Sequence, residues 1–376
     1  MEYVDTLDKH LADQQKTLVD YAKERRLLLG GQLRNRKKIY LDTKYWILLR
    51  DSSLGIGTDP SVKNLLKSLK TGVSSGDLIC PIGADIFVEI MRQTDETTLL
   101  KSVHLIDCLS QGVAILFHEE RFRLEMLYFV YKYLLGESRY HPPEEFVWTK
   151  LAYTLGFCTP GDTSFRQNEE LAMQKAFLDQ MWQLSLADMV NVIGITHFIN
   201  RTLLVDCSDE LNRNKERLVD NCKSFEEVFL SEVAGFLDYM KPEFSDMLVF
   251  LSERFPQLQI QKEAPNTPQS AQLFANLIYH AFRLKRLSTD LPFVHIQASL
   301  HAAIWMDSTR RYKPTDKHDI LHATAALPYF DVFLTEKSLK HLLTRTDMAL
   351  DRLYNCRVVS KPAEVNSEIE HLLAGM

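Results

Sequence analysis

Three acidic residues lie near the predicted ends of strands or starts of helices, and together they could hold a metal ion. Asp42 comes directly after the apolar run IYL, Glu89 lies about two turns into the helix that follows LICPI, and Asp319 begins the helix before DVFLT. Carboxylates brought together repel one another, so a hard divalent cation is their natural partner. Taken singly, each acid has another explanation, because Asp is a good helix cap and Glu is a common helix former.

Two histidines flank the last of these acids. His318 precedes Asp319 directly, and His322 follows it by three residues, which places it on nearly the same face of a helix. A histidine beside a metal ion can be a ligand or an acid–base group. Packing inside the helix is the alternative, and it is the interpretation we favour for both histidines.

The acids can meet only if the elements before them belong to one sheet. Short apolar runs, each next to a helical pattern, predict strands at 39–41, 78–82, 113–117, 331–335 and 356–360. Strands that alternate with helices of about 10 to 15 residues are typical of a parallel α/β sheet. In such a sheet, functional side chains collect at the carboxyl ends of the strands, and all three acids are predicted at or near that edge.

Between residues 118 and 289 the alternation of strands and helices stops. Apolar residues recur there at spacings of three and four, which predicts a mostly helical block. We therefore divide the chain into an N-terminal helical arm (1–37), the first part of an α/β core (38–117), a large α-helical insertion (118–289) and the second part of the core (290–376). The small number of turn residues, 14 glycines and 13 prolines among 376, agrees with long helices.

The composition excludes several classes of protein. A formal net charge of −6 excludes a protein that holds nucleic acid by bulk positive charge. The acidity is concentrated in residues 206–254, which hold 12 acids against 6 Lys or Arg, so the core is near neutral.

No apolar run approaches the roughly 20 residues that cross a bilayer, and we expect no membrane partner and a cytoplasmic location. The cysteines include no C-x-x-C pair, which argues against a zinc site.

Three segments resemble the motifs of the PIN-domain nuclease family, in the order that the family has them. IYLDTKYWILL resembles the opening motif, PIGADIFVEIMRQ the middle motif and HDILHATAALPYFDVFLTEKSL the closing motif. The resemblance covers roughly 38–117 and 290–362 and leaves the N-terminal arm and the insertion without a counterpart. It implies a PIN-like parallel sheet flanked by helices and interrupted by the insertion.

The resemblance also implies roles for single residues. Asp42, Glu89 and Asp319 would be the catalytic residues and would ligate Mg²⁺ or Mn²⁺, with the hydroxyls of Thr43 and Thr335 as hydrogen-bonding support. The activity implied is hydrolysis of phosphodiester bonds, for which a bound ion activates water and offsets the developing negative charge. Such a site needs no nucleophilic side chain.

The sequence departs from the family at one position near the site. The family commonly has a further acid two residues after the Thr that ends the late strand, and this chain has Lys337 there. Glu336 is adjacent, and Asp316 lies one turn before Asp319, so either could supply the missing charge as a metal ligand. If neither does, the site holds one ion weakly or none.

Basic residues near the closing motif could hold the backbone of RNA. Phosphate contacts of this kind position a strand without reading its sequence, although a solvated basic loop explains them equally well. Tyr312, between basic residues, could stack on a base. The candidate RNA-binding residues are Arg310, Arg311, Lys313, Lys317 and Lys337.

Two functions of different classes remain open at this stage. The first is a metal-dependent endoribonuclease acting on single-stranded or structured RNA, with a structure-specific DNA nuclease as its variant. The second is a catalytically inactive PIN-like module whose helical insertion binds a protein partner, a regulatory ligand or a second copy of the chain. The presence of all three acids favours the nuclease, and Lys337 favours the inactive module.

Overall fold

The chain folds as a mixed α/β protein that is mostly helical around a small parallel sheet, as the sequence predicts at this level. The computed structural model describes residues 4–57, 59–135, 141–161, 164–194, 207–218, 224–254, 268–287 and 289–374. No helix in these ranges is long and apolar enough to cross a membrane. Five of the cysteines lie in these ranges and form no disulfide bond there, and Cys222 lies outside them.

Six short strands are present in the described ranges, and four of them form the central sheet in the order β2-β1-β5-β6. All pairings in this sheet are parallel, with Ile39 opposite Val332 and Leu334 opposite Val359. A late strand therefore lies directly beside the first one, and the C-terminal part of the chain completes the sheet. The strands are β1 (Lys37–Leu41), β2 (Leu78–Ile79), β3 (Val113–Ile115), β4 (Trp148–Lys150), β5 (Val332–Leu334) and β6 (Arg357–Val359).

The third strand differs from the expected parallel pairing. β3 pairs antiparallel with β4, a strand that the sequence did not predict because its three residues lie in a block with helical spacing. The predicted strand at 78–82 is also shorter than expected. Beyond Ile79 the backbone leaves β1: the N–H of Cys80 donates to Leu109 O (3.0 Å), and Ile82 forms a bridge to Ala114.

Nineteen helices lie within the described ranges. They are α1 (Leu7–Ala12), α2 (Leu18–Leu33), α3 (Thr43–Ser53), α4 (Pro60–Ser75), α5 (Ala84–Met91), α6 (Glu96–Ser110), α7 (His118–Val130), α8 (Pro143–Phe146), α9 (Gln167–Gln183), α10 (Leu186–Ile193), α11 (Ser208–Leu218), α12 (Phe225–Tyr239), α13 (Lys241–Arg254), α14 (Pro268–Arg283), α15 (Pro292–Met306), α16 (Asp316–Tyr329), α17 (Lys337–Leu343), α18 (Leu350–Leu353) and α19 (Pro362–Ala374).

Local signals explain where several of these helices begin. Asp42 caps α3 by accepting a hydrogen bond from the N–H of Tyr45 (3.2 Å), and Pro60 occupies the first turn of α4, where its missing N–H costs nothing. Helix α16 begins at Asp316, one turn earlier than the predicted start, so Asp319 lies inside the first turn. This shift places Asp316 and Asp319 on the same helical turn.

The buried apolar residues form two clusters. The first surrounds the sheet and includes residues from α2 to α6, from β4 to α10 and from α15 to α19. The second joins helices α12, α13 and α14 of the predicted insertion to α7 and α15. The division into arm, core and insertion remains a prediction, and the packing shows that buried residues of β4, α9 and α10, between Val147 and Val190, share the core of the sheet.

Candidate active site

Asp42 lies at the carboxyl end of β1, where its backbone N–H donates to Leu334 O of the neighbouring β5 (3.0 Å). The side chain is 6% exposed and caps α3 through Tyr45 N–H. Burial raises the pKa of Asp42 to about 6, although the charge of His322 and the hydroxyl of the buried Thr335 act in the opposite direction. Asp42 is therefore a carboxylate that a nearby positive charge would stabilise.

Asp319 is half-buried in the first turn of α16. Burial raises the pKa of Asp319 to about 6, His322 opposes that rise, and the negative charges of Asp316, Asp42 and Glu336 add to it. Carboxylates repel in this way only when they are near one another. Asp42 thus lies near enough to Asp319 for their charges to interact, although the two residues are far apart in sequence.

Glu89 lies on α5 and is held by three groups. The hydroxyl of Thr43 donates a hydrogen bond to its Oε2, Nε2 of His322 lies 3.5 Å from the same oxygen, and Nδ1 of His318 lies 3.7 Å from Oε1. Burial pushes the pKa of Glu89 upward, but the contacts with His322, Thr43 and His318 outweigh it and bring the pKa below its usual value. Glu89 is an ionised carboxylate whose partners are supplied by the protein.

His322 lies inside the acid cluster, a position that sequence reasoning did not assign to it. The ring is 3% exposed, and its Nδ1 forms a hydrogen bond with the hydroxyl of Tyr40 (2.8 Å). Burial alone lowers the pKa of His322, but the hydrogen bond to Glu89 and the charges of Asp85, Glu89 and Asp42 raise it to about 9. His322 is therefore a buried cation at neutral pH.

Asp85 is a fourth acid that sequence reasoning missed. It lies one turn before Glu89 on the same face of α5, is 8% exposed and lies 3.7 Å from Nδ1 of His318. Burial would raise the pKa of Asp85, but interactions with His318, His322 and His118 lower it. The i, i+4 spacing of Asp85 and Glu89 after a strand is the sequence signal that could have revealed it.

The two residues proposed to replace the missing family acid have different surroundings. Asp316 is 2% exposed, and its carboxylate accepts hydrogen bonds from Nη2 of Arg310 (2.7 Å) and from the N–H of Lys313 (2.9 Å). Glu336 is exposed, and its Oε1 lies 3.8 Å from Nζ of Lys44. Asp316 thus has a structural role in the turn before α16, and Glu336 is the more available of the two.

Two of the five predicted RNA-binding residues form ion pairs with acids, and in the described ranges the other three do not. Arg310 is committed to Asp316, and Arg311 lies 3.1 Å from Glu216 in an exposed ion pair. Lys313, Lys317 and Lys337 are exposed. Among these five residues, only the three lysines have no ion pair with an acid within the described part of the chain.

Helix α11 of the insertion holds the loop that carries these basic residues. Asn212 pairs with the backbone of Tyr312 in both directions, donating to its O (3.0 Å) and accepting from its N–H (2.8 Å). Tyr312 is 4% exposed, so the stacking on a base considered for it does not hold. The ammonium of Lys215 donates to three backbone carbonyls, those of Ile304 (2.8 Å), Asp307 (2.6 Å) and Arg310 (2.6 Å).

The possible metal ligands of this site are carboxylate oxygens, which suit a hard cation. Two of the carboxylates belong to Asp42 and Asp319, and an added positive charge would offset the cost of burying their negative charges. Across the ranges that the structure describes, no group of three or more His, Cys, Asp or Glu side chains is arranged to hold a metal ion. No family model, curated protein or solved structure matches this chain.

Proposed function

We propose that this chain is a metal-dependent nuclease with a PIN-like core, which hydrolyses phosphodiester bonds in RNA. The observation that carries the proposal is a pair of carboxyl groups with raised pKa values, the buried Asp42 and the half-buried Asp319, the second of which responds to the charge of the first. Asp42 follows β1 at the carboxyl-end edge of the parallel sheet, where α/β proteins place their ligands. Acids with strongly perturbed pKa values are candidates for a functional site.

Asp42 and Asp319 are the residues that would hold Mg²⁺ or Mn²⁺ in this proposal. When bound, a divalent ion would make water more acidic and would offset the negative charge that develops on the phosphate. Glu89, ionised and fixed by Thr43, would orient the attacking water from the α5 side of the site. His322 holds Glu89 in place and reduces the repulsion among the acids.

The proposed substrate is RNA with accessible, unpaired nucleotides. Lys317 lies two residues before Asp319, and Lys337 begins the helix that follows β5, so two exposed ammonium groups flank the acids. They supply a local positive charge for phosphate although the chain as a whole is acidic. A preference for DNA is the alternative outcome of the cleavage test below.

A specific observation supports a second candidate, the inactive PIN-like module. The cluster already contains a cation, because His322 is charged at neutral pH and lies 3.5 Å from Glu89. Asp316, one of the two substitutes for the family's further acid, is committed to Arg310. In this case the acidic helices of the insertion would bind a protein partner or a second copy of the chain.

The test is cleavage of end-labelled single-stranded RNA and DNA with Mn²⁺, Mg²⁺ or EDTA. The informative variant is Asp42→Asn, because Asn remains a good helix cap and the fold is retained. We expect Asp42→Asn to lower the rate by more than about 100-fold, since even outer-shell partners of a metal cost about 10- to 100-fold. Asp209→Asn, at an exposed position on α11, is the matched control.

The outcomes separate the two candidates. Cleavage that requires Mn²⁺ or Mg²⁺ and disappears in Asp42→Asn supports the nuclease. Absence of cleavage with every ion, or an equal rate in Asp42→Asn and the wild type, overturns it and leaves the inactive module. Faster cleavage of DNA than of RNA would retain the chemistry and change the substrate.

A further inference from the structure

A cavity of about 350 Å³ lies between α7, α12, α15 and α16, at the junction of the predicted insertion and the core. Its volume falls in the range of small-molecule sites, roughly 300 to 1,000 Å³. Aromatic rings form part of its wall, and two carboxyl groups (the exposed Glu119 and the half-buried Glu232), an amide and an ammonium group also line it. The residues that matter here are Phe236, Phe293, Tyr239, Glu232, Gln297 and Lys317.

The aromatic wall offers flat surfaces to a planar ligand. The rings of Phe236 and Phe293 lie 5.7 Å apart at 42°, and the ring of His118 is stacked over Phe293 at 6.5 Å and 13°. Tyr239, at the same cavity, is 78% exposed, although it is a large apolar side chain. Aromatic side chains of this kind bind nucleobases by stacking, worth about 1 to 3 kcal/mol per base.

The cavity and the proposed active site share helix α16. Lys317 lines the cavity and stands two residues before Asp319 on α16. His118 and Leu321 also line it, and Leu321 belongs to the same helix as Asp319 and His322. A strand whose phosphate contacts Lys317 would therefore have a neighbouring base at the mouth of the cavity.

We propose that this cavity binds a nucleobase of the RNA substrate and prefers guanine. The placement of the scissile phosphate beside it rests on the proposed nuclease function. Guanine presents two adjacent N–H donors, N1 and N2, which suit the carboxylate of Glu232, and an O6 acceptor, which suits the amide N–H of Gln297. Adenine and cytosine place a ring-nitrogen acceptor next to their amino group, where a carboxylate would be repelled.

The direct test is binding of the four nucleoside monophosphates, GMP, AMP, CMP and UMP, to the full chain in EDTA by saturation-transfer NMR and calorimetry. We expect GMP to bind most tightly. Phe236→Ala should weaken all four, and Glu232→Gln or Gln297→Glu should reduce the preference for GMP by about tenfold, as for loss of one good base contact. Phe165→Ala and Glu226→Gln, at exposed positions outside the cavity, are the matched controls.

A second measurement tests whether the cavity determines where RNA is cleaved. RNA oligonucleotides with a single G in a run of U should be cut next to the G by the wild type, and this preference should disappear in Glu232→Gln and Gln297→Glu. Circular dichroism shows whether each variant is folded, and the two polar variants keep the inference testable if Phe236→Ala unfolds.

The two proposals can fail separately. Equal binding of the four monophosphates, or an unchanged GMP preference in both polar variants, overturns the nucleobase site whether or not RNA is cleaved. Selective GMP binding without Asp42-dependent cleavage overturns the nuclease and retains the nucleobase site.

Discussion

Nε2 of His322 lies 3.5 Å from Oε2 of Glu89, and the buried histidine and the half-buried glutamate form an ion pair inside a cluster of acids. The hydroxyl of Tyr40 fixes the other ring nitrogen of His322 at 2.8 Å. Neighbouring acids raise the pKa of the histidine, and the histidine lowers that of Glu89, so each partner keeps the other charged. The pair determines how much negative charge the site presents to a metal ion.

A double-mutant cycle measures this pair. His322→Gln should lower the free energy of unfolding by about 2 kcal/mol, because it leaves Glu89 without its main partner, while the double variant His322→Gln/Glu89→Gln should lose less than the sum of the single changes. Urea unfolding in EDTA gives the values, with the exposed His341→Gln as control. Additive effects would mean that the two side chains do not interact.

Substitutions of the exposed lysines near the closing motif should weaken RNA binding, whereas substitution of Arg310 should lower stability. Lys317→Ala and Lys337→Ala, at exposed positions, should each weaken binding of single-stranded RNA and reduce the slope of log affinity against log salt by about 1. Fluorescence anisotropy at several KCl concentrations measures this, and Lys63→Ala on α4 is the control. A salt slope equal to that of the wild type would remove these lysines from the RNA site.

Arg310→Ala should lower the free energy of unfolding. It leaves the carboxylate of Asp316, 2% exposed, without its cation, which typically costs about 3 kcal/mol. We expect a lower free energy of unfolding, and we expect Arg310→Ala/Asp316→Asn to recover part of it. A loss of RNA affinity with unchanged stability would instead make Arg310 a phosphate contact.

The buried carboxyl group of Glu125 should make stability depend on pH. It accepts hydrogen bonds from the hydroxyl of Tyr329 (2.6 Å) and the N–H of Phe293 (2.9 Å), but burial outweighs them and raises its pKa to about 7. The folded chain therefore holds this proton to a higher pH than the unfolded chain does. Its contribution is complete below the unfolded pKa, about 4.3, and is lost as the pH rises to about 7.

Glu125→Gln should remove this dependence. Between about pH 4.5 and 7, the wild type should lose about 1 to 3 kcal/mol of unfolding free energy relative to the variant. Urea unfolding across that range measures the difference, which isolates Glu125 from other groups that titrate there. Glu119→Gln, exposed on the same helix, is the control, and parallel pH curves for Glu125→Gln and the wild type would contradict the expectation.

Lys215 should anchor the insertion to the core. Its ammonium satisfies three carbonyls near the end of α15, so Lys215→Met should cost about 2 to 3 kcal/mol by leaving them without a donor. The loop at 307–315 should then exchange its amide hydrogens faster, as mass spectrometry would detect. Lys70→Met, exposed on α4, should change neither quantity.

Much of the local structure could be predicted from the sequence. The start of α3 after Asp42 and the strands around β1, β5 and β6 follow from capping and from apolar runs, which act over a few residues. The pairing of β3 with β4 could not be predicted in this way, because three residues carry too little pattern to distinguish a strand from a helix turn.

By itself, the sequence determined that Asp42 follows a strand and caps a helix and that helices dominate the middle of the chain. Only the tertiary structure decided which charges meet. His322 bonds to Tyr40 across 282 residues of sequence, and Asp316 pairs with an arginine that sequence reasoning assigned to RNA. The physical reason is that capping and periodicity act between neighbours in the chain, whereas burial and Coulomb interactions depend on distances that exist only after the sheet has formed.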